Sequence, residues 1–439
     1  MMLSGWGRFP RLDCRTVEPC GRDDLASAIV ANDSLIAHGN GRAYGDAALN
    51  PKGTLLMRGY REVLSFDQKT GRLTCEAGLM LSEIIERFVP LGWHPPVAPG
   101  TKFVTVGGMI AADIHGKNHH CAGSFGRYVE SIKLVQADGT LVQCSRQENS
   151  ELFAATCGGM GLTGVILEAT FSLVPIETSL IRRETLRARN LEEAMEQFAD
   201  SEGWTYSVAW IDCLAREREL GRSVLYRGEH ARREDVQAAG REASLELRSR
   251  STWRIPVDFP AMVLNRWNVR AFNAIYYRRA REGTDIVEFD PFFYPLDVLR
   301  EWNRIYGSTG FIEYQCVLPI EASPLGIALL LRKIRDGGGS SFLSVLKRFG
   351  PQEGPLSFPM AGYTLALDFR ADAPSLRLAQ ELDAIVSDHG GRIYLAKDAR
   401  MSAAMLRRGY PGLDRFLAIR AAVDPKRKFA SLQSRRLGL

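Results

Sequence analysis

Residues 98–126, APGTKFVTVGGMIAADIHGKNHHCAGSFG, constrain this chain more than any other stretch. Pro99-Gly100 marks a turn, and Thr101 to Val106 is a β-branched and aromatic run. Gly107-Gly108 then removes two side chains just where backbone would have to press against a ligand. Consecutive free amides in such a bend form an anion nest, so the stretch is expected to cradle a phosphorylated cofactor. His115, Lys117, His119 and His120 follow at once, a dense group for a chain with seven histidines. Two plainer readings stay open at this point: a tight loop with solvated polar tips, and a metal site. Against the metal, adjacent histidines diverge in a strand, no Cys or carboxylate joins them at finger-like spacing, and H-E-x-x-H is absent. No metal is expected.

A chain of 439 residues exceeds one ordinary domain, so two domains with large cores are expected. Its formal net charge of +5 is small for that size and gives no reason to expect nucleic acid as a partner. The eight cysteines are scattered, with no C-x-x-C and no disulfide-like spacing, which points to a reducing compartment. The first residues lack the apolar core of a signal peptide, and no run of 18 apolar residues occurs. A cytoplasmic protein without a membrane span is expected, with peripheral contact to the inner membrane left open.

A second glycine-rich loop, His38-Gly39-Asn40-Gly41-Arg42-Ala43-Tyr44-Gly45-Asp46, follows a short apolar strand at Ser34 to Ala37. A dinucleotide fold would open a helix here, but Asn-Pro, Gly and a new strand come next, so these glycines belong to a loop. Leu81, Ile84, Ile85 and Phe88 keep i, i+3, i+4, i+7 spacing and predict a helix that Gly92 closes. Val129 to Ala137 and Thr140 to Cys144 flank Ala-Asp-Gly and predict a hairpin. Gly159 to Gly164 matches G-x-G-x-x-G, yet a helix precedes it and a strand follows, the reverse of the dinucleotide-binding order.

The ordered series GNGRAYGD, PGTKFVTVGG, IAADIHGKNHH and SELFAATCGGMGLTGVILEATF resembles the FAD-binding domain of the vanillyl-alcohol-oxidase superfamily. With YSVAWID, FYPLD, EYQCVLP and YLAKDAR added, the chain is similar to that superfamily's decaprenylphosphoryl-β-D-ribose oxidase family nearly throughout. The resemblance implies an α+β fold: a two-lobed FAD-binding domain with an inserted α+β cap. Its N-terminal part would span 1–178, the cap 179–391, and a C-terminal return to the FAD-binding domain 392–439. It implies that Gly39, Asn40, Gly41, Arg42, Ala43, Tyr44, Gly45, Asp46, Ala47, Gly100, Thr105, Val106, Gly107, Gly108, Ala112, His115, Ile166 and Tyr394 hold FAD. Related sugar oxidases attach flavin through a His-Ser pair in the first loop, where this chain has Arg42-Ala43, so the FAD is expected to be non-covalent.

The implied chemistry is alcohol oxidation, with hydride leaving a carbinol carbon while a base takes the hydroxyl proton. Lys117, Tyr294, Gln315, Lys347 and Lys397 would meet the substrate. Lys397, Tyr44 and His115 are the catalytic candidates, with the base open among them. Ala366 and Thr364 stand where mycobacterial members carry Cys and Asn, so the pocket is not identical to theirs. In the cap, Leu264, Trp267, Ala271 and Ile275 keep helical spacing among Arg266, Arg270, Arg278, Arg279 and Arg281. Such a segment suits either an anionic membrane surface or the cap's own core.

Three functions remain open on these grounds. One is oxidation of a prenylphosphoryl pentose, paired with a separate NAD(P)H-dependent short-chain reductase that completes an epimerisation. The second is a flavin oxidase of a soluble alditol or aldonolactone. The third is a flavin-fold binding module without catalysis.

Overall fold

A computed structural model describes residues 1–248, 251–341 and 343–439. Three sheets position the site. The smallest is parallel, with Thr54–Leu56 between Thr16–Val17 and Ile36–His38. Helix Arg22–Val30 covers it by laying down Leu25 and Ile29 one turn apart, both fully buried. The C-terminal segment returns to this lobe: Leu35 N–H donates to Lys428 O at 2.9 Å and Ala430 N–H to Leu35 O at 2.9 Å.

The second sheet has five antiparallel strands in the order Leu141–Ser145, Val129–Val135, Val165–Ser172, Arg72–Glu76 and Val63–Asp67. The expected hairpin supplies its first two strands, joined in register from Leu141 opposite Val135. Helix Leu81–Phe88 buries Leu81, Ile84, Ile85 and Phe88 in the same core as Leu73, Cys75 and Phe171. Gly92 ends that region at φ 84°, a left-handed conformation that favours glycine.

The third sheet is antiparallel and eight-stranded, running Gly283–Glu288, Leu180–Ala188, Ser223–His230, Tyr206–Ile211, Ser344–Phe349, Gly362–Arg370, Phe311–Pro319 and Arg392–Ile393. Strand Phe311–Pro319 shows how it is used. Ile312, Tyr314 and Cys316 enter a core with Leu330 and Leu382 of helices Ser323–Asp336 and Ala373–Asp388, while Glu313 and Gln315 alternate to the other face. The last strand, Arg392–Ile393, lies beyond the expected end of the cap at 391 yet pairs with Val317 and Cys316 at the sheet edge.

The basic cap segment is helical from Arg266 to Arg279, with Asn265 accepting from the Trp267 and Asn268 amides as N-cap. Of the two readings left open for its apolar stripe, packing into the cap's core is not the one the helix follows. Val269 and Asn273 are its buried residues, and Tyr276 packs on Trp210, whereas Trp267 and Ile275 point to solvent. Asn273 Nδ2 donates to the buried Asp212 at 2.7 Å, a polar anchor that hydrophobic spacing does not reveal. Among the described residues no helix is long and apolar enough to cross a membrane.

Candidate active site

A cavity of about 660 Å³ lies where all three sheets meet. Its floor is the loop after Ile36–His38. One wall is the segment Pro99 to Gly108, and another is the free face of the eight-stranded sheet.

The first loop supplies the anion nest. Tyr44 N–H is bonded to Ala396 O at 2.9 Å, but the amides of Asn40, Gly41, Arg42 and Ala43 donate to no protein acceptor among the described residues. Four successive unpaired N–H groups on a cavity wall form a ready site for a pyrophosphate. Gly41 sits at φ 61°, where an L side chain is strained. A Cβ at Gly39 would run into Thr105 Oγ1, so the two loops can meet only with glycine there. Side chains then lock the nest open. Asn40 Nδ2 donates to Phe103 O at 2.7 Å, and the Arg42 guanidinium lies 3.9 Å above the Trp6 ring. His38 turns away, its Nδ1 2.9 Å from Ala48 O, and does not reach the cavity.

The second loop corrects the expectation made for it. Val106–Ala111 is a helix capped by Thr105, and its first amides are already used. Val106 N–H donates to Leu79 O at 2.9 Å, Gly107 N–H to Ala77 O at 2.8 Å, and Gly108 N–H to Thr105 Oγ1 at 3.3 Å. Gly107 and Gly108 line the cavity because the helix packs flat on Ala77: an added Cβ at Gly107 would lie 3.0 Å from the Ala77 Cβ. The histidine cluster also disperses. His119 Nδ1 accepts from Gly350 N–H at 3.3 Å, His120 Nε2 meets Trp204 O at 2.7 Å, and His115 faces the cavity.

The sheet face adds the charged chemistry through register. Glu313 lies opposite Asp368, Gln315 opposite Ala366, and Lys347 opposite Thr364. Gln315 Nε2 donates to His115 Nε2 at 3.0 Å and to Thr364 Oγ1 at 3.1 Å, and the Thr364 hydroxyl donates to Cys316 O at 2.8 Å. This network makes His115 Nε2 an acceptor and leaves Nδ1–H buried without a partner. Burial, with the nearby Lys347 charge, holds the His115 pKa far below its usual range, so the ring is neutral. Tyr44 is half-buried beside Glu313, and desolvation followed by the Glu313 charge holds its phenol well above its usual range, so it stays protonated.

Lys397 Nζ is bonded to Glu313 Oε2 at 2.8 Å and sits 3.6 Å from the Tyr44 ring centroid. Lys347 has no carboxylate within bonding distance among the described residues, and burial followed by the Lys397 charge lowers its pKa to about 8. Asp368 is driven well above the carboxylate range by burial and then by Glu313, and accepts the Tyr306 hydroxyl at 3.0 Å. Tyr394 donates to Ala112 O at 2.9 Å and stacks on Phe358 at 4.5 Å, fixing that end of the cavity.

Among the expected residues, Gly39 to Tyr44, Ala47, Gly100, Thr105, Gly107, Gly108, Ala112, His115, Ile166, Gln315, Lys347, Tyr394 and Lys397 line this cavity. Gly45, Asp46, Val106, Lys117 and Tyr294 stand back from it. Gly45 is pressed on the Asp398 backbone, and Asp46 is paired with Arg436 at 2.8 Å, tying the loop to the C-terminal helix. Val106 is core. Lys117 is bonded to the carbonyls of Phe292 and Phe293, and burial followed by Lys347 lowers its pKa to about 7. Tyr294 is buried against Phe289 and Phe293. Sequence reasoning missed Glu313 and Asp368, whose signal was a carboxylate inside each of two mostly apolar strands, FIEYQCVLP and GYTLALDFR.

The nest, the glycine contacts and the orphaned His115 donor fit a pyrophosphate-bearing cofactor with a polar ring system. Comparison with known proteins agrees. Residues 16–145 match the FAD binding domain, and residues 362–437 match D-arabinono-1,4-lactone oxidase. The chain is 36% identical to decaprenylphosphoryl-beta-D-ribose oxidase of Mycolicibacterium smegmatis over 448 residues, covering 100% of this chain and 97% of that one. It is 24% identical to L-gulonolactone oxidase of Bos taurus over 93% of this chain and 90% of that one. With human Delta(24)-sterol reductase it shares 29% identity over 27% of this chain and 23% of that one. The protein is therefore an FAD-dependent oxidoreductase of α+β fold, and the chain belongs to the decaprenylphosphoryl-β-D-ribose oxidase family.

Proposed function

We propose that this protein oxidises the 2'-hydroxyl of a polyprenylphosphoryl-β-D-ribose to the 2'-keto sugar. A separate NAD(P)H-dependent short-chain reductase then completes the epimerisation. The observation that carries this reading is identity of 36% across the whole chain to an oxidase named for that substrate. The Lys347 ammonium on the cavity wall, half-buried and without a bonded carboxylate among the described residues, supports it, since such a cation suits a substrate phosphate.

The amides of residues 40–43 would hold the FAD pyrophosphate, and bound FAD supplies the two-electron oxidant. Arg42-Ala43 offers no nucleophile, and His38 turns away, so the cofactor is read as non-covalent. Lys347 would take the substrate phosphate. Lys397 would hold the 2'-hydroxyl, whose proton moves onto the Lys397–Glu313 pair and ends on the carboxylate while the carbinol hydride leaves for the oxidant. His115 Nδ1–H, without a partner among the described residues, would donate to the group bound in the cavity. Lys117 and Tyr294, set behind the wall, would brace it. Residues 1–178 and 392–439 form the FAD half in this reading and 179–391 the cap, with Arg392–Ile393 a strand shared by both. The enzyme would work in the cytoplasm at the inner membrane, where a lipid-linked sugar resides.

The match of residues 362–437 favours a lactone or alditol as the second reading. Anaerobic mixing of the holoenzyme with prenylphosphoryl ribose, free alditols and aldonolactones separates the two. Bleaching of the yellow absorbance by the prenylphosphoryl sugar alone is expected. Bleaching by an alditol or lactone instead would assign the protein to the second.

A further inference from the structure

We infer that the cap carries a docking surface for an anionic phospholipid bilayer, built on segment 253–279. Trp253, Met262 and Trp267 are 71%, 73% and 76% exposed, and Val257 and Ile275 are also mostly in water. Isolated exposed apolar residues are ordinary, but five large ones in one segment mark an interaction surface. The segment also continues into the rim of the cavity. Trp253–Arg254 pairs in parallel with Leu299–Arg300, and both partner residues line the cavity. Leu264 packs against the cluster of Trp302, Tyr306 and Phe311, of which Trp302 also lines the cavity.

The electrostatic half of the surface is a cleft of about 330 Å³ beside helix Arg266–Arg279, lined by Arg216, Arg222, Arg270 and Arg278 with one carboxylate, Glu219. Arg222 is occupied by Asp212 at 2.8 Å and Glu219 at 3.2 Å. Arg216, Arg270 and Arg278 have no ion pair among the described residues. Three guanidinium groups without a paired carboxylate stand around one cleft, and their planar forks match phosphate oxygens. A soluble phosphate would explain the cleft but not the tryptophans and Met262. A bilayer explains both, with phosphate headgroups at the arginines and indole rings at the interface. The surface stands on these side chains whatever sugar the cavity takes, so it can fail or hold independently of the substrate reading.

Co-sedimentation of the holoenzyme with phosphatidylcholine vesicles, with and without phosphatidylglycerol, tests it. Binding should require the anionic lipid and weaken as salt rises, because exposed charges are screened over about 10 Å at 0.1 M. Loss of one arginine costs roughly fivefold at such a surface, so R270Q/R278Q should bind about 30-fold more weakly. M262S/W267S should also lose binding, with unchanged FAD absorbance and melting temperature showing that both variants fold. A wild-type holoenzyme that stays in the supernatant with anionic vesicles at low salt overturns the proposal, and that readout needs no variant. Loss in R270Q/R278Q with none in M262S/W267S overturns it as well, since the cleft would then bind anions without a membrane.

Discussion

Replacing Lys347 by methionine separates what this side chain costs the fold from what it gives the site. Burial, and then the Lys397 charge, take its pKa from 10.5 to about 8. Between those two values the unfolded chain binds more protons than the folded one, so stability rises with pH there; below about 8 the penalty is complete. The gap corresponds to at most about 3 kcal/mol, and partial exposure of the side chain reduces it to about 1–2 kcal/mol. With an unfolding entropy near 2 cal/mol/K per residue, a 439-residue chain shifts by about 1 °C per kcal/mol. Calorimetry at neutral pH should therefore find K347M melting roughly 1–2 °C above wild type. Catalysis should move the other way. A charge-assisted phosphate contact contributes about 1.5–3 kcal/mol, so kcat/KM for a prenylphosphoryl ribose should fall roughly 10- to 150-fold, mainly through KM. Wild-type kcat/KM should decline above about pH 8 as the ammonium deprotonates, and that limb should vanish in the variant. Equal losses on a substrate lacking the phosphate, or a lower melting temperature, would refute the assignment.

Acid precipitation of the holoenzyme should leave the yellow colour in the supernatant, because Arg42-Ala43 offers no attachment point and His38 faces Ala48; colour in the pellet would mean a covalent bond elsewhere. Lys397→Ala should retain FAD and lose kcat by on the order of 100-fold, the scale of one electrostatic contact. Glu313→Gln, which removes both the counter-charge of Lys397 and the carboxylate on which the proton ends, should lose at least as much and shift the pH profile; wild-type turnover in either would remove the pair from the mechanism. Gly41→Ala should weaken FAD binding roughly 10-fold, since φ 61° costs an L residue about 1–2 kcal/mol, read by fluorescence titration of the apoprotein with FAD.

The two glycine loops are legible in the sequence because glycine is demanded by local geometry: in the first, Gly41 by its left-handed φ and Gly39 by its contact with Thr105, and in the second, Gly107 by its contact with Ala77. Which loop keeps its amides free is not legible, because Leu79 and Ala77, whose carbonyls take the Val106 and Gly107 amides, lie in a distant part of the pattern. His115 stands out by composition, but its tautomer depends on Gln315, 200 residues away. Lys347, Gln315 and Lys397 rest on family resemblance, and their convergence comes from cross-strand register that periodicity cannot set. Glu313 and Asp368 carried a local signal, a charge inside a mostly apolar strand. Which side of helix Arg266–Arg279 packs inward was not legible for the opposite reason: spacing left its apolar stripe to either a membrane surface or the cap's core, and the buried anchor is Asn273, a polar residue held by Asp212.

A single anaerobic turnover tests the central claim most directly. Holoenzyme mixed with a slight deficit of prenylphosphoryl ribose should lose its yellow absorbance in proportion to the sugar added and yield an equal amount of the 2'-keto sugar by mass spectrometry. Adding a short-chain reductase with NADPH should then convert that product to the 2'-epimer. Recovery of unaltered prenylphosphoryl ribose from an enzyme that an alditol or lactone bleaches would contradict the account.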